Sequence, residues 1–211
     1  MSSSTGSLGL YGSAQFGVAD IDFSLIAGLS LNQSNRKVVA GGTTETAVGT
    51  FNSGVITPSV VVSVPVLSTD GGSVALEAGA SYSGGLVSGY SETGSSMNLT
   101  VGAQTIAVVD ARFGLSAKSL IGTTGGATYA LTARAGLLAT SNFGSSSVPV
   151  TVFGQTVQLS TPGSTAYGVY AGLGVEGAVN DNLRLGLNLD TNWRTDRNMS
   201  AAAKFSVTGS F

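Results

Sequence analysis

Polar and apolar residues alternate along most of this 211-residue chain. In NLRLGLNLDTNW, residues 182–193, Leu183, Leu185, Leu187, Leu189 and Trp193 occupy one set of alternate positions. Asn182, Arg184, Asn188, Asp190 and Asn192 occupy the other. A helix would scatter these leucines around its circumference, whereas a strand gathers them on one side. The same period of two runs through residues 21–32, 73–83, 108–118, 127–138 and 165–178, and it closes the chain in SAAAKFSVTGSF, residues 200–211. Residues 7–17 alternate more weakly. Residues 54–67 hold an apolar run that contains Pro58 and Pro65. Proline cannot donate to a ladder, so this strand is expected to be bent, bulged or short. The count is nine strands of about 10–14 residues, longer than the ~5–6 usual in globular proteins and suited to crossing a bilayer at a tilt.

The connections predicted between these strands also alternate. Short links lie near 18–20, 68–72, 119–126 and 179–181. Long ones rich in Gly, Ser, Thr and Asn span 33–53, 84–107 and 139–164. VPVTVFGQTVQLS in the last of these predicts an extra hairpin rising from the loop. The link at 196–199 is short but belongs with the long set by parity. Short turns at one end and long loops at the other are the pattern of an outer-membrane barrel.

Composition sharpens the reading. Only 9% of residues are charged and 31 are glycine, while 42% are hydrophobic. The apolar face of these strands carries no Lys, Arg, Asp or Glu. The few strand charges fall on the polar face: Asp22, Glu77, Asp110, Arg112, Lys118, Arg134, Glu176, Arg184, Asp190 and Lys204. A soluble sandwich would instead point its apolar face inward and its charges outward. An Arg or Lys at the bilayer midplane costs about 2–4 kcal/mol, which explains its exclusion from a lipid-facing wall. The expected fold is therefore all-β, a single antiparallel transmembrane β-barrel domain over residues 1–211. Phe16, Tyr82, Tyr129, Tyr167, Trp193, Phe205 and Phe211 are its candidate interfacial anchors.

Other chemistry is sparse. A net charge of −2 without charge runs offers no footprint for nucleic acid. The absence of Cys and His removes disulfides, thiolate metal sites and Ser-His-Asp or Cys-His catalytic centres. No cofactor or metal site is implied. GLGVEG, Gly172 to Gly177, spells G-x-G-x-x-G, but the next residues, AVNDNLRL, turn into another strand rather than the helix a dinucleotide site requires. The glycines read as small inner-wall residues. Glu77, Asp110, Arg112, Arg134, Glu176, Arg184, Asp190 and Lys204 are expected to face the lumen. There they would pair with one another or set ion preference rather than perform acid–base catalysis.

Three stretches carry a family resemblance. YSETGSSMNLTVGAQTIAVVDARFGLSAK, residues 90–118, places Tyr90, Glu92, Asn98, Leu99, Val101 and Gly114 as in the C-terminal β-domain of bacterial autotransporters. LGLYGSAQFGVADIDFSLIAGLSLNQSNRK, residues 8–37, resembles that family's Gly-x-Tyr-Gly strand, the strand after it and its Arg-bearing loop. The terminal Phe211 is similar to the aromatic that marks outer-membrane proteins for insertion. The resemblance implies a twelve-stranded barrel in the bacterial outer membrane. It implies lipid, outer-membrane assembly machinery and an N-terminal passenger as partners, with no enzymatic role. Aligned from the C-terminus, residues 7–17 would be the fourth strand of such a barrel. The chain is thus expected to lack three strands, the linker helix and the passenger. Two alternatives stay open at this stage: a small porin-like or structural outer-membrane barrel, and a soluble all-β adhesin-like protein.

Overall fold

The structure is a computed structural model that describes residues 1–124, 127–160, 162–180, 183–196 and 198–209. Among these residues thirteen strands run in chain order: β1 Ser2–Phe16, β2 Ala19–Ala40, β3 Thr43–Thr69, β4 Gly72–Val87, β5 Tyr90–Ser91, β6 Thr100–Val101, β7 Gln104–Thr124, β8 Ala127–Asn142, β9 Ser147–Val152, β10 Gln155–Ser160, β11 Ser164–Asn180, β12 Leu183–Arg194 and β13 Met199–Gly209. Nine of them form one sheet in the order β1-β2-β3-β4-β7-β8-β11-β12-β13. Every pairing is antiparallel, and neighbours in the sheet are neighbours among the nine long strands of the chain. These are the nine strands that the alternation predicts. Among the described residues β13 pairs only with β12, and β1 only with β2, so the wall is an open arc. An odd strand count runs β1 and β13 in the same direction, which an antiparallel seam between them could not accommodate.

Cross-strand partners share a face, so register carries each face around the sheet. One continuous row reads Val74, Ala117, Ala133, Leu173, Leu189 and Ala203. Leu137, Leu173, Leu189, Trp193 and Phe205 on this face stand exposed. In water so large an apolar surface would drive association; against acyl chains it is the matching surface. Burial is correspondingly slight. The buried hydrophobic residues among those described are Val38, Ala47, Ala130, Val148 and Ala166. The wall is held by its backbone ladder, which satisfies its own N–H and C=O groups between strands, as a lipid environment demands.

Several expectations at the strand ends are corrected. Residues 33–53, expected as a loop, continue the β2–β3 ladder to Ala40–Thr43 through a turn at Gly41 and Gly42, both at positive φ. With 27 residues β3 reaches ~90 Å at about 3.3 Å per residue, far more than a bilayer needs. The pairing of β3 with β4 stops at Ser53–Val87, so the hairpin projects beyond the wall. The expected 119–126 link is shorter than supposed, since β7 runs to Thr124. The proline-bearing strand is bulged rather than short: its register shifts between Pro65 and Leu67, where a missing N–H cannot hold the ladder. Phe211 lies outside the described residues.

Candidate functional site

The face opposite the apolar one is polar and concave. A cleft of about 620 Å³ is lined by Ser24 of β2 and Ser59 of β3 and, at the far end of the sheet, by Ser200 of β13, with Asp110, Arg134 and Asp190 between. Strands so distant in sheet order share one cavity only because the sheet curls around it. Register places all eight sequence-selected charges on this side: Glu77 opposite Gly114, Asp110 opposite Thr140, Arg112 opposite Gly79, Arg134 opposite Gly172, Glu176 opposite Gly186, Arg184 opposite Thr208, Asp190 opposite Gly172 and Lys204 opposite Asn188.

The charges are spaced by glycine. Arg134, Gly172 and Asp190 form a row across three strands. Arg134 Nε donates to Asp190 Oδ1 at 2.9 Å and its Nη2 to Oδ2 at 2.6 Å, reaching over the intervening strand. A Cβ on Gly172 would lie 2.8 Å from Arg134 Nε and overlap Asp190 Oδ1 outright. The bare backbone at Gly172 is what lets a guanidinium meet a carboxylate two strands away. Gly174 does the same one row on, where Thr132 and Asn188 close over it. All three glycines of the G-x-G-x-x-G, Gly172, Gly174 and Gly177, lie within β11, a strand, so the helix that a dinucleotide site needs is not there. A third row, Gly114–Gly136–Tyr170, lays the Tyr170 ring across two glycines. Asp110 accepts from the Thr140 hydroxyl, and Lys118 lies 3.7 Å from Glu176. Glu77, Arg112, Arg184 and Lys204 form no ion pair among the described residues. The set builds a polar, mixed-charge wall.

One end of this wall carries a cap that parity alone does not reveal. Beyond Ser53 the β2–β3 hairpin presents Arg36, Val38, Glu45, Ala47, Gly49 and Phe51 on the concave side by register. The 88–103 segment folds against that same side of the hairpin. Val48 and Thr93 exchange backbone hydrogen bonds of 2.8 and 2.9 Å, and Tyr90 stacks on Phe51 with ring centroids 4.8 Å apart over bare Gly49. Strand β6 then pairs with β9, giving a small sheet of order β10-β9-β6-β5 that joins the two long connections. The hairpin expected within 139–164 is β9–β10.

Two latches hold the cap. Glu92, 5% exposed, accepts from Arg36 Nε at 3.2 Å, Arg36 Nη2 at 2.6 Å and the Leu99 amide at 3.0 Å, while Arg36 Nη2 also donates to the Met97 carbonyl. Glu45 accepts from Ser95 Oγ and from the amide and hydroxyl of Ser96. In the sequence Arg36 and Glu92 belong to separate motifs; 56 residues apart, their partnership has no local signal. The Arg36 hydrogen bonds hold the Glu92 carboxyl below the usual carboxylate range against the opposing effect of burial, and the Leu99 amide adds to this. A depressed carboxylate contributes stability that is full above its unfolded pKa and lost as pH falls through its folded one. Removing Arg36 strands a buried carboxylate, whereas removing Glu92 strands a guanidinium that is about one-third exposed. Arg36→Ala should therefore destabilise the cap locally by about 3 kcal/mol, and Glu92→Ala by less. Limited proteolysis between residues 93 and 98 reads this directly. Cleavage should follow the order Arg36→Ala, Glu92→Ala, wild type, and wild-type cleavage should rise as pH falls below the ordinary carboxylate range, through the lowered pKa of Glu92.

Comparison with known proteins places this geometry. Residues 1–190 match the family described as Autotransporter beta-domain. The translocator domain of the autotransporter NalP from Neisseria meningitidis superposes with a TM-score of 0.70 at 17% identity, over 99% of this chain and 67% of that one. The siderophore receptor PirA from Pseudomonas aeruginosa matches at 13% identity over 98% of this chain and 40% of its own, with a TM-score of 0.30, too low to bear on the fold. No curated protein matches.

Proposed function

Because the chain belongs to the autotransporter β-domain family, an outer-membrane translocator family, we propose that its concave polar wall is the route along which a passenger polypeptide reaches the cell surface. The observation that carries this reading is the pairing of a charge-free apolar face with a curled face whose charges are braced across glycine rows. A hydrated wall of Ser, Thr, Asn and Gly offers weak, replaceable hydrogen bonds to a passing backbone, so nothing along it holds a polypeptide fast. Glu77, Asp110, Arg112, Arg134, Glu176, Arg184, Asp190 and Lys204 are the lumen-facing charges in this reading. Arg134–Asp190 stiffens the wall, and the unpaired cations tune what passes. Phe211 serves as the insertion signal read by the outer-membrane assembly machinery. The protein acts as a conduit and anchor, not as an enzyme.

The test fuses a long, unstructured, epitope-tagged reporter to the N-terminus of the full chain, behind a signal peptide, in a Gram-negative host. The chain should fractionate with outer membranes and migrate faster in gels before boiling than after. External protease should remove the reporter from intact cells. A chain that reaches the outer membrane while its reporter stays inside would favour a small structural barrel and overturn the translocator reading.

A further inference from the structure

Among the described residues nothing pairs with the outer edge of the cap sheet, and we propose that β10, Gln155–Ser160, is a strand-addition site for an extended polypeptide emerging from the channel. The proposal rests on the translocator reading for the identity of that polypeptide. Strand β10 ends the sheet order and pairs only with β9 among the described residues. Phe153 and Gly154 join the two strands with φ of 49° and 74°, the type I′ geometry that sets a regular hairpin register. The Pro149 carbonyl accepts from the Gly102 amide at 2.8 Å, so Pro149 turns its backbone toward β6. In an antiparallel pair the opposite residue then turns away from β9 as well. Gln158 is that residue, and alternation extends the outward-facing set to Thr156 and Ser160.

Proteins blunt such edges with Lys, Pro, bulges or a covering loop. QTVQLS contains no charge and no proline, and its register with β9 is unbroken. The side chains extend the argument. Val101, Val150 and Val157 form an apolar row across β6, β9 and β10. The row begins at Val101, inside the cap sheet, and ends in the open, where Val157 is 56% and Leu159 53% exposed. A further strand would continue the ladder and cover both. The occupant is set by the chemistry of the edge. It presents backbone hydrogen bonds and two apolar contacts, with no charge to select a sequence, which is how an extended chain of any composition is held. The cap lies on the concave side of the projecting hairpin, so a polypeptide leaving the channel passes this sheet while its own backbone is still unpaired.

The chain has no cysteine, so one can be introduced cleanly. Thr156→Cys, in the full chain folded in detergent, is offered a short synthetic Thr/Val peptide whose single cysteine is moved one position at a time. Disulfide trapping should peak at alternate peptide positions. Gln158→Pro, which removes an outward N–H while sparing the β9 ladder, should lower trapping by about tenfold, and Gln158→Thr should leave it unchanged. Peptides N-methylated on alternate amides keep the test independent of any folding defect in the proline variant. Methyl groups on the edge-facing amides should abolish trapping, and the other set should not. Trapping without positional dependence, or indifferent to which amides are methylated, overturns the edge site. The assay needs no export. Absent trapping with reporter display intact refutes the edge alone; trapping with display lost refutes the translocator reading alone.

Discussion

Leu187→Arg leaves the chain out of the membrane, while Asn188→Arg is largely tolerated. Leu187 sits on the apolar face between Val175 of β11 and Phe205 of β13, about half exposed. An arginine there must be desolvated among acyl chains. At the bilayer midplane this costs about 2–4 kcal/mol, which lowers the folded, inserted fraction by roughly 30-fold to almost 1,000-fold. One residue on, Asn188 faces the concave side and stands opposite Lys204. A second cation there meets one like charge in a hydrated setting, at a cost nearer ~0.2–1 kcal/mol. Heat-modifiable gel mobility after reconstitution separates the two. Equal loss in both variants would mean that the faces are assigned wrongly.

Gly136→Val prevents the wall from closing its β7–β8 ladder. A Cβ at Gly136 would overlap the Phe113 carbonyl oxygen and lie 2.6 Å from Gly114 Cα and 2.8 Å from Tyr170 Cε1. Two of these three atoms are backbone and cannot swing aside. Overpacking of this kind costs about 1–3 kcal/mol where side chains can yield, and a rigid ladder pushes the cost to the upper end. The folded fraction in reconstitution should therefore fall more than about tenfold. Gly6→Val is the control, since nothing stands within 4 Å of its Cβ. Adding Tyr170→Ala should rescue Gly136→Val only in part, because the ring is the lesser obstacle. Full rescue would show that ring packing, not strand approach, dictates the glycine.

These two substitutions also mark how differently the two faces can be read. The outward set of Leu187 is legible in the alternation, because lipid imposes one requirement on every outward position and the requirement repeats with the pleat. The need for glycine at 136 is not. Gly114, Gly136 and Tyr170 are scattered in sequence and meet only through the register of three strands. A polar face tolerates many small residues, so local pattern cannot say which of them lies beneath a ring or a bridging arginine. The projecting β2–β3 hairpin escapes the alternation for a related reason. Past the membrane no apolar band is imposed, and SNRKVVAGGTTETAVG reads as a polar loop although its ladder is unbroken to Ala40–Thr43.

By itself the sequence determined nine long strands, the two long connections from which the cap is built, an apolar face free of charge, and the family that these features resemble. All are properties of single strands, where the period of the pleat writes the environment directly into residue order. Only the tertiary structure decided what lies side by side: Arg134 reaching Asp190 over Gly172, Arg36 buried against Glu92 in a cap built from two distant connections, and the bare edge of β10. Those depend on register between segments far apart in the chain, which no local pattern encodes.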